Sequence, residues 1–381
     1  MSQDKLTAVK MPKWGMAMTS GKLVGWLKKE GESVQTGDEI LEVETDKTVN
    51  VLEAAATGTL VRRVAEMGRD LPVGALLCVI AQGDVDDAAI DAFVAEFEAN
   101  FVPEDDDEVG INELHHVVLD NDVTIAYRQF PAAEPGDGVP VLLIHGFGGD
   151  QSGWALTVPT LADNRTLYTL DLPGHGASSK NVADGSLPAL NQVLSAFMDA
   201  LGIARAHLIG HSLGASVAAT LATTIPKKIA TLTLIGGLGA GTEVDRDYVD
   251  AFLAADRRKP LTECMRRLFA DPAAVNRTMI EDVLKTKRLE GVTTSLTAIA
   301  EAAIFAVVDV RPEQALAGLD VPVQVIWGRG DSISPANQLT CLPPNIPCHI
   351  VENAGHMVHI EAAAKVNHVI RSFLESEAVQ A

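Results

Sequence analysis

The distribution of apolar positions divides this chain into three stretches. Over the first eighty residues, short runs of alternating apolar and polar positions are separated by glycine-bearing turns, the pattern of half-buried strands joined by hairpins. The pattern repeats. Gly21-Lys22-Leu23-Val24 matches Gly58-Thr59-Leu60-Val61 at an offset of 37 (58 − 21), and the same offset relates Gly31 to Gly68, Val34 to Leu71, Gly37 to Gly74 and Ile40 to Leu77. Two matched strand sets predict a small β-sandwich or flattened barrel with an internal two-fold. At its centre Ile40–Val43 and Val49–Val51 flank a polar tip, which predicts a hairpin with Lys47 at its apex.

From Gly83 to Glu113 the pattern changes. Ile90, Phe93, Val94, Phe97 and Phe101 recur at helical spacing, and Asp84, Asp86 and Asp87 supply capping and dipole-favoured charge at the start. One amphipathic helix is predicted near residues 86–101, followed by a solvated tether. Its apolar face packs either on a domain of this chain or on a partner subunit.

Beyond residue 113, near-continuous apolar runs (Pro140–Ile144, Leu167–Leu170, His207–Ile209, Ile229–Ile235, Val323–Trp327, His349–Val351) alternate with helical segments such as Ala215–Thr224. Strands buried on both faces of a parallel sheet read this way, so the predicted class is α/β and doubly wound. A largely helical insertion lies between Gly237 and Arg311. The expected organisation is therefore multidomain: an all-β unit over 1–82, an acidic linker with one short helix over 83–113, and an α/β domain over 114–376 with a helical cap about 237–311.

Charge narrows the partners. The net charge is −21, and no Lys or Arg occurs between Arg69 and Arg128. That balance argues against nucleic acid and anionic membranes, which require basic patches. No run approaches the length of a membrane span, the N-terminus lacks a secretory apolar region, and the four cysteines show no metal-ligand or disulfide spacing. A cytoplasmic protein without a metal site is expected.

The chemistry sits at strand ends. Gly210-His211-Ser212-Leu213-Gly214 fits the G-x-S-x-G nucleophile elbow, with a strand before it and a helix after it. Asp331, in Gly328-Arg329-Gly330-Asp331, and His356, in Ala354-Gly355-His356, follow later strands in the order Ser…Asp…His. A neutral serine needs a base, so His356 would take the proton of Ser212, and Asp331 would fix the imidazole. The oxyanion would be held by the amides of Leu213 and of Phe147, the latter in His145-Gly146-Phe147-Gly148-Gly149. His145, His175 and His211 read as structural, and His359 is a second choice for the base. Asp309, Asp320 and Asp171 are weaker rivals to Asp331. Nine basic residues in the insertion, Arg257, Arg258, Lys259, Arg266, Arg267, Arg277, Lys285, Lys287 and Arg288, read mainly as solvated faces, with CoA-phosphate binding as the minority alternative.

Two resemblances add to this reading. Met11-Pro12-Lys13-Trp14-Gly15-Met16-Ala17-Met18 with Glu44-Thr45-Asp46-Lys47 resembles the lipoyl domains of 2-oxo-acid dehydrogenase complexes across residues 7–81, which implies lipoic acid carried as an amide on Lys47. The biotinyl carriers share that fold, but their lysine lies between methionines, whereas Asp46 and Thr48 flank Lys47. Residues 114–376 resemble the α/β-hydrolase superfamily. A lipoyl domain fused to such a domain resembles the dihydrolipoamide acetyltransferase components of bacterial acetoin dehydrogenase complexes. The resemblance implies acetyl transfer from S-acetyl-dihydrolipoyl-Lys47 to CoA. It also implies two partners, the thiamine-diphosphate-dependent acetoin dehydrogenase subunits and dihydrolipoamide dehydrogenase.

The chain departs from most acyltransferase components of this class. Their H-x-x-x-D-G motif is approximated only by His116-Val117-Val118-Leu119-Asp120-Asn121, and no separate subunit-binding domain is evident. Alternatives from other classes are a serine thioesterase or esterase with water as acceptor, and a lipoyl carrier with a non-catalytic scaffold domain.

Overall fold

A computed structural model describes residues 5–12, 20–44, 49–54, 56–83, 85–101, 113–119, 122–132 and 138–376. The chain forms two compact units, Met1–Gly110 and Ile111–Ala381.

The first unit is two four-stranded sheets. One has the order β1 (Leu6–Lys10), β8 (Leu76–Ala81), β6 (Gly58–Arg63), β3 (Ser33–Val34). The other has the order β5 (Val49–Glu53), β4 (Glu39–Glu44), β2 (Ser20–Trp26), β7 (Asp70–Pro72). The repeat seen in sequence is a repeat in space: β3 and β7 start 37 positions apart, as do β4 and β8, and each pair occupies equivalent places in opposite sheets. Leu23, Val34, Ile40, Leu41, Leu60 and Leu77 fill the core between the sheets, all fully buried. Gly31 and Gly68 both adopt positive φ, as do Gly37 and Gly74, so the repeated glycines supply a turn conformation that side-chain-bearing residues avoid.

Helix α1 (Asp87–Asn100) starts at Asp86, whose carboxylate accepts from the Ala89 amide at 2.8 Å. Its apolar stripe lies on the sandwich: Ile90 is buried with Leu6, Leu76, Val79 and Ala81, and Phe93, Val94 and Phe97 pack around them. Arg62 ties the helix to β6 through Asp87 and Asp91. The apolar face is thus covered by this chain's own domain, and the helix belongs to the first compact unit instead of lying free in a linker. Residues 102–112 of the expected tether lie outside the described residues.

The second unit is built on an eight-stranded sheet. Its order is β16 (Cys348–Val351), β15 (Val323–Gly328), β14 (Ile229–Ile235), β13 (Ala206–His211), β11 (Val141–Ile144), β12 (Leu167–Leu170), β10 (Thr124–Phe130), β9 (His115–Val118). From β16 to β12 neighbouring strands run parallel; β10 is antiparallel to both β12 and β9. The apolar runs reflect burial on two faces. Leu142 and Ile144 point into one core with α3 (Leu187–Ala200) and α4 (Leu213–Thr224), while Val141 and Leu143 enter the other with Trp154, α2 (Val158–Leu161), Val366 and Ile370. Between β14 and β15 the insertion folds as helices α5 (Arg246–Ala254), α6 (Arg258–Arg266), α7 (Arg277–Lys287) and α8 (Val292–Ile299), which share a third core. A π turn, Ala300–Ile304, extends α8. Helix α9 (Pro312–Ala317) precedes β15, and α10 (Val358–Glu361) and α11 (Ala363–Leu374) complete the domain. Among the described residues no helix is long and apolar enough to cross a membrane.

Candidate active site

Ser212 stands between β13 and α4 with φ 54° and ψ −114°, a strained conformation for a residue with a side chain. The glycines on either side make the turn possible. A Cβ at Gly210 would overlap the Gly214 carbonyl, and one at Gly214 would overlap the carbonyl oxygen of Ile144 on the neighbouring strand. Leu213 opens α4, so its amide has no acceptor within the helix and belongs to the positive end of the helix dipole.

His356 follows β16 and is buried. Its Nδ1 lies 2.8 Å from Oδ2 of Asp331, and Oδ1 of the same carboxylate accepts from the amides of Ile333 and Ser334 at 2.9 and 2.8 Å. A carboxylate so held can only accept, so Nδ1 carries the proton and Nε2 is left basic. Ser212, Leu213, Phe147 and His356 all line one cavity of about 260 Å³. The hydrogen bond of the His356 ring is the one to Asp331, and none joins it to the Ser212 hydroxyl; before substrate binds, catalytic hydrogen bonds are often long and tighten only in the reacting complex.

His145, His175 and His211 are hydrogen-bonded to backbone groups. His145 donates from Nδ1 to the Gly146 carbonyl at 2.8 Å, and its Nε2 accepts the Leu172 amide at 3.0 Å. His211 donates from Nε2 to the His356 carbonyl at 3.0 Å, and its ring lies against His356 and His359. Burial, then its two histidine neighbours, push its pKa well below the ordinary imidazole value. Burial likewise lowers His175 to about 3, and burial with the nearby His356 lowers His359 to about 3. His359 sits against Trp154 with ring centroids 4.9 Å apart and has no bond to Asp331. Asp171 is occupied by the Gln151 and Ala177 amides, and Asp309 and Asp320 are exposed. His116 is exposed on edge strand β9.

The wall opposite Ser212 comes from the insertion. Tyr248, Val249 and Phe252 of α5, Met265 of α6, and Met279 and Val283 of α7 line it. None of the nine basic residues does. Arg267 pairs with Asp245, Arg257 with Asp256 and Arg277 with Glu281, while Lys287 donates to α5 carbonyls. Arg258, Lys259, Arg266, Lys285 and Arg288 are exposed.

One positioning group had no motif to announce it. Glu361, on α10, accepts the Gly355 amide at 2.7 Å with one oxygen and the Ala270 amide at 2.7 Å with the other, tying the loop before His356 to the insertion. Its separation of five residues from His356 was the only available signal. Among the described residues no group of His, Cys, Asp and Glu is arranged to hold a metal. Lys47 lies outside the described residues, in the first unit. The strands flanking it pair antiparallel with Glu44 opposite Val49, so four residues connect them, and Lys47 is the lysine among these.

Residues 139–363 match the model of a family described as alpha/beta hydrolase fold, and residues 7–80 match one described as biotin-requiring enzyme. The dihydrolipoyllysine-residue acetyltransferase component of the acetoin cleaving system of Pseudomonas putida is 40% identical over 373 residues, 97% of this chain and 99% of that protein. The chain belongs to this acetyltransferase family. The protein of the same description from Cupriavidus necator is 39% identical, with 96% of each chain covered. A solved meta-cleavage product hydrolase from Pseudomonas fluorescens shares the fold of the second unit. It has a TM-score of 0.59 at 21% identity and covers 68% of this chain and 97% of that one. This chain thus joins a lipoyl-type domain to an α/β-hydrolase domain, the pairing read from the sequence.

Proposed function

We propose that this protein moves an acetyl group from a lipoyl thioester to CoA within an acetoin-cleaving complex, with Ser212, His356 and Asp331 as the catalytic triad. The observation that carries the reading is that Ser212 and His356 line one apolar cavity, with Asp331 bonded to His356 at 2.8 Å. Its relatives' description as acetyltransferase components supports CoA, rather than water, as the acceptor.

The lipoyl group fits the chain at Lys47: the four-residue connection between β4 and β5 contains an amine to acylate, and Asp46 and Thr48 flank it where biotin carriers place methionines. When bound, the group supplies a thiol that carries acetyl as a thioester. His356 accepts the Ser212 proton as Oγ attacks the thioester carbon, while the Leu213 and Phe147 amides hold the developing oxyanion. With the arm in place, His356 would return that proton to the sulfur leaving the acetyl carbon, and Ser212 Oγ would be left carrying the acetyl group. His356 then takes the proton of the CoA thiol, whose sulfur attacks the acetyl-serine, and returns it to Ser212 Oγ as acetyl-CoA leaves. Asp331 stabilises the imidazolium in both halves. The apolar cavity suits the hydrocarbon part of the lipoyl arm and the pantetheine thiol end, and the absence of basic residues from its lining leaves the CoA phosphates outside. The acetoin dehydrogenase subunits would load the arm and dihydrolipoamide dehydrogenase would reoxidise it.

The test supplies acetyl-dihydrolipoamide with and without CoA. Acetyl-CoA formation that Ser212→Ala lowers by several orders of magnitude is expected, since triad members act as a unit. Free acetate formed at equal rate without CoA would establish the thioesterase reading instead. Intact mass should show one lipoyl adduct, lost in Lys47→Arg; an adduct on another lysine would overturn that assignment.

A further inference from the structure

Phe252, near the end of α5, touches the loop that carries the Phe147 amide. Its ring meets the Phe147 ring edge-on with centroids 6.0 Å apart, and a Cβ at Gly148 would come within 2.6 Å of its Cε1 and Cζ. Gly148 has φ 71°, so the loop turns back under the ring in a conformation that glycine alone adopts freely. The helix bearing Phe252 ends two residues later, and its last carbonyls face a cation from another helix. The Lys287 ammonium, at the end of α7, donates to the Phe252 carbonyl at 2.6 Å and to the Leu253 carbonyl at 3.3 Å. It also sits 4.4 Å from the centroid of the Phe252 ring. One charge therefore caps the negative end of α5 and holds the face of its aromatic residue.

We propose that Lys287 is a positioning residue for acyl transfer: by clamping the end of α5 it fixes Phe252 on the Phe147–Gly148 loop and thereby fixes the Phe147 amide where the oxyanion forms. The proposal rests on the assignment of Ser212 as nucleophile and the Phe147 amide as oxyanion donor. The geometry gives the insertion a task besides walling the cavity. A loop with a glycine at positive φ has more than one orientation open to the amide before it. Pressure from Phe252 selects one, and Lys287 keeps Phe252 there through two carbonyls and a ring face. The effect falls on the transition state, because the amide bonds most strongly to an oxygen that carries developing charge.

The experiment compares Lys287→Met, Lys287→Arg and Phe252→Leu in the full chain, with Ser212→Ala alongside. Lys287→Met is expected to lower kcat for acetyl-CoA formation roughly 10- to 100-fold, with KM within about twofold, as for loss of an interaction made only in the transition state. Affinity for a trifluoromethyl ketone, which forms an oxyanion adduct on the serine, should fall by the same factor. Lys287→Arg should restore most of kcat, because a guanidinium can reach both carbonyls. Phe252→Leu should reproduce the kcat loss with the lysine intact, which keeps the test open if Lys287→Met does not fold. Unchanged kcat in folded Lys287→Met or in Phe252→Leu overturns the proposal, and so does a change confined to KM. If Ser212→Ala retains turnover, the underlying assignment fails instead, and the two failures are told apart by that control.

Discussion

His356 and Asp331 are joined by a 2.8 Å bond between Nδ1 and Oδ2, and the second oxygen of Asp331 is taken by two backbone amides. The carboxylate is thus oriented by the chain that follows it. Asp331→Asn keeps the volume but can place an N–H toward Nδ1, which favours the wrong imidazole tautomer. Acetyl-CoA formation should fall roughly 10⁴-fold while the melting temperature changes little. Steady-state kinetics with acetyl-dihydrolipoamide and CoA measures this; a loss under tenfold would remove Asp331 from the triad.

His175 and His359, both lowered to about 3, make the stability of the second unit sensitive to acid. In the unfolded chain each titrates near 6.5, so between that value and about 3 the unfolded state binds more protons. The contribution is therefore fully present above pH 6.5 and is lost as pH falls toward 3, by about 1.4 kcal/mol per pH unit for each fully differing group. His359→Phe should reduce the slope of unfolding free energy against pH by up to that amount. Denaturant unfolding at several pH values from 7 to 4.5 reads it, and an unchanged slope would mean that His359 is not held neutral.

Ile90 is 2% exposed between α1 and the β1–β8 edge of the sandwich. Ile90→Ala should destabilise the first unit by about 2–4 kcal/mol and leave the second unit's transition where it was. Calorimetry of the full chain resolves the two. Loss of binding to dehydrogenase subunits with no shift in the first unit's melting would instead favour a docking role for this helix.

Much of the site could be read from the chain because its constraints are local. A serine pressed into a sharp strand-to-helix turn needs glycines two residues away on both sides, and Gly210 and Gly214 show that need in five letters. Asp331 and His356 follow strand ends, where an apolar run stops, and their order along the chain did the rest. The helix start at Asp86 was likewise legible, because an acceptor for the Ala89 amide must stand three residues before it.

The sequence by itself determined the two domain types and the internal two-fold at an offset of 37, and it set Ser212, Asp331 and His356 in the chain order that the proposed triad needs; the expected Lys47 tip lies outside the described residues. In each case the determining contact spans a few residues or a repeat. Only the tertiary structure decided what covers α1, where the basic residues of the insertion go and which side chains face Ser212. The helical period of α1 announced an apolar face, but a face states no partner; the burial of Ile90 on β8 does. In the sequence Lys287 reads as one of nine cations named in the insertion, with nothing to set it apart. Its use depends on α7 ending beside the last carbonyls of α5, thirty-five residues earlier, and that adjacency is a product of packing. Phe252 over Gly148 joins residues about a hundred positions apart, and no periodicity in either segment encodes the meeting.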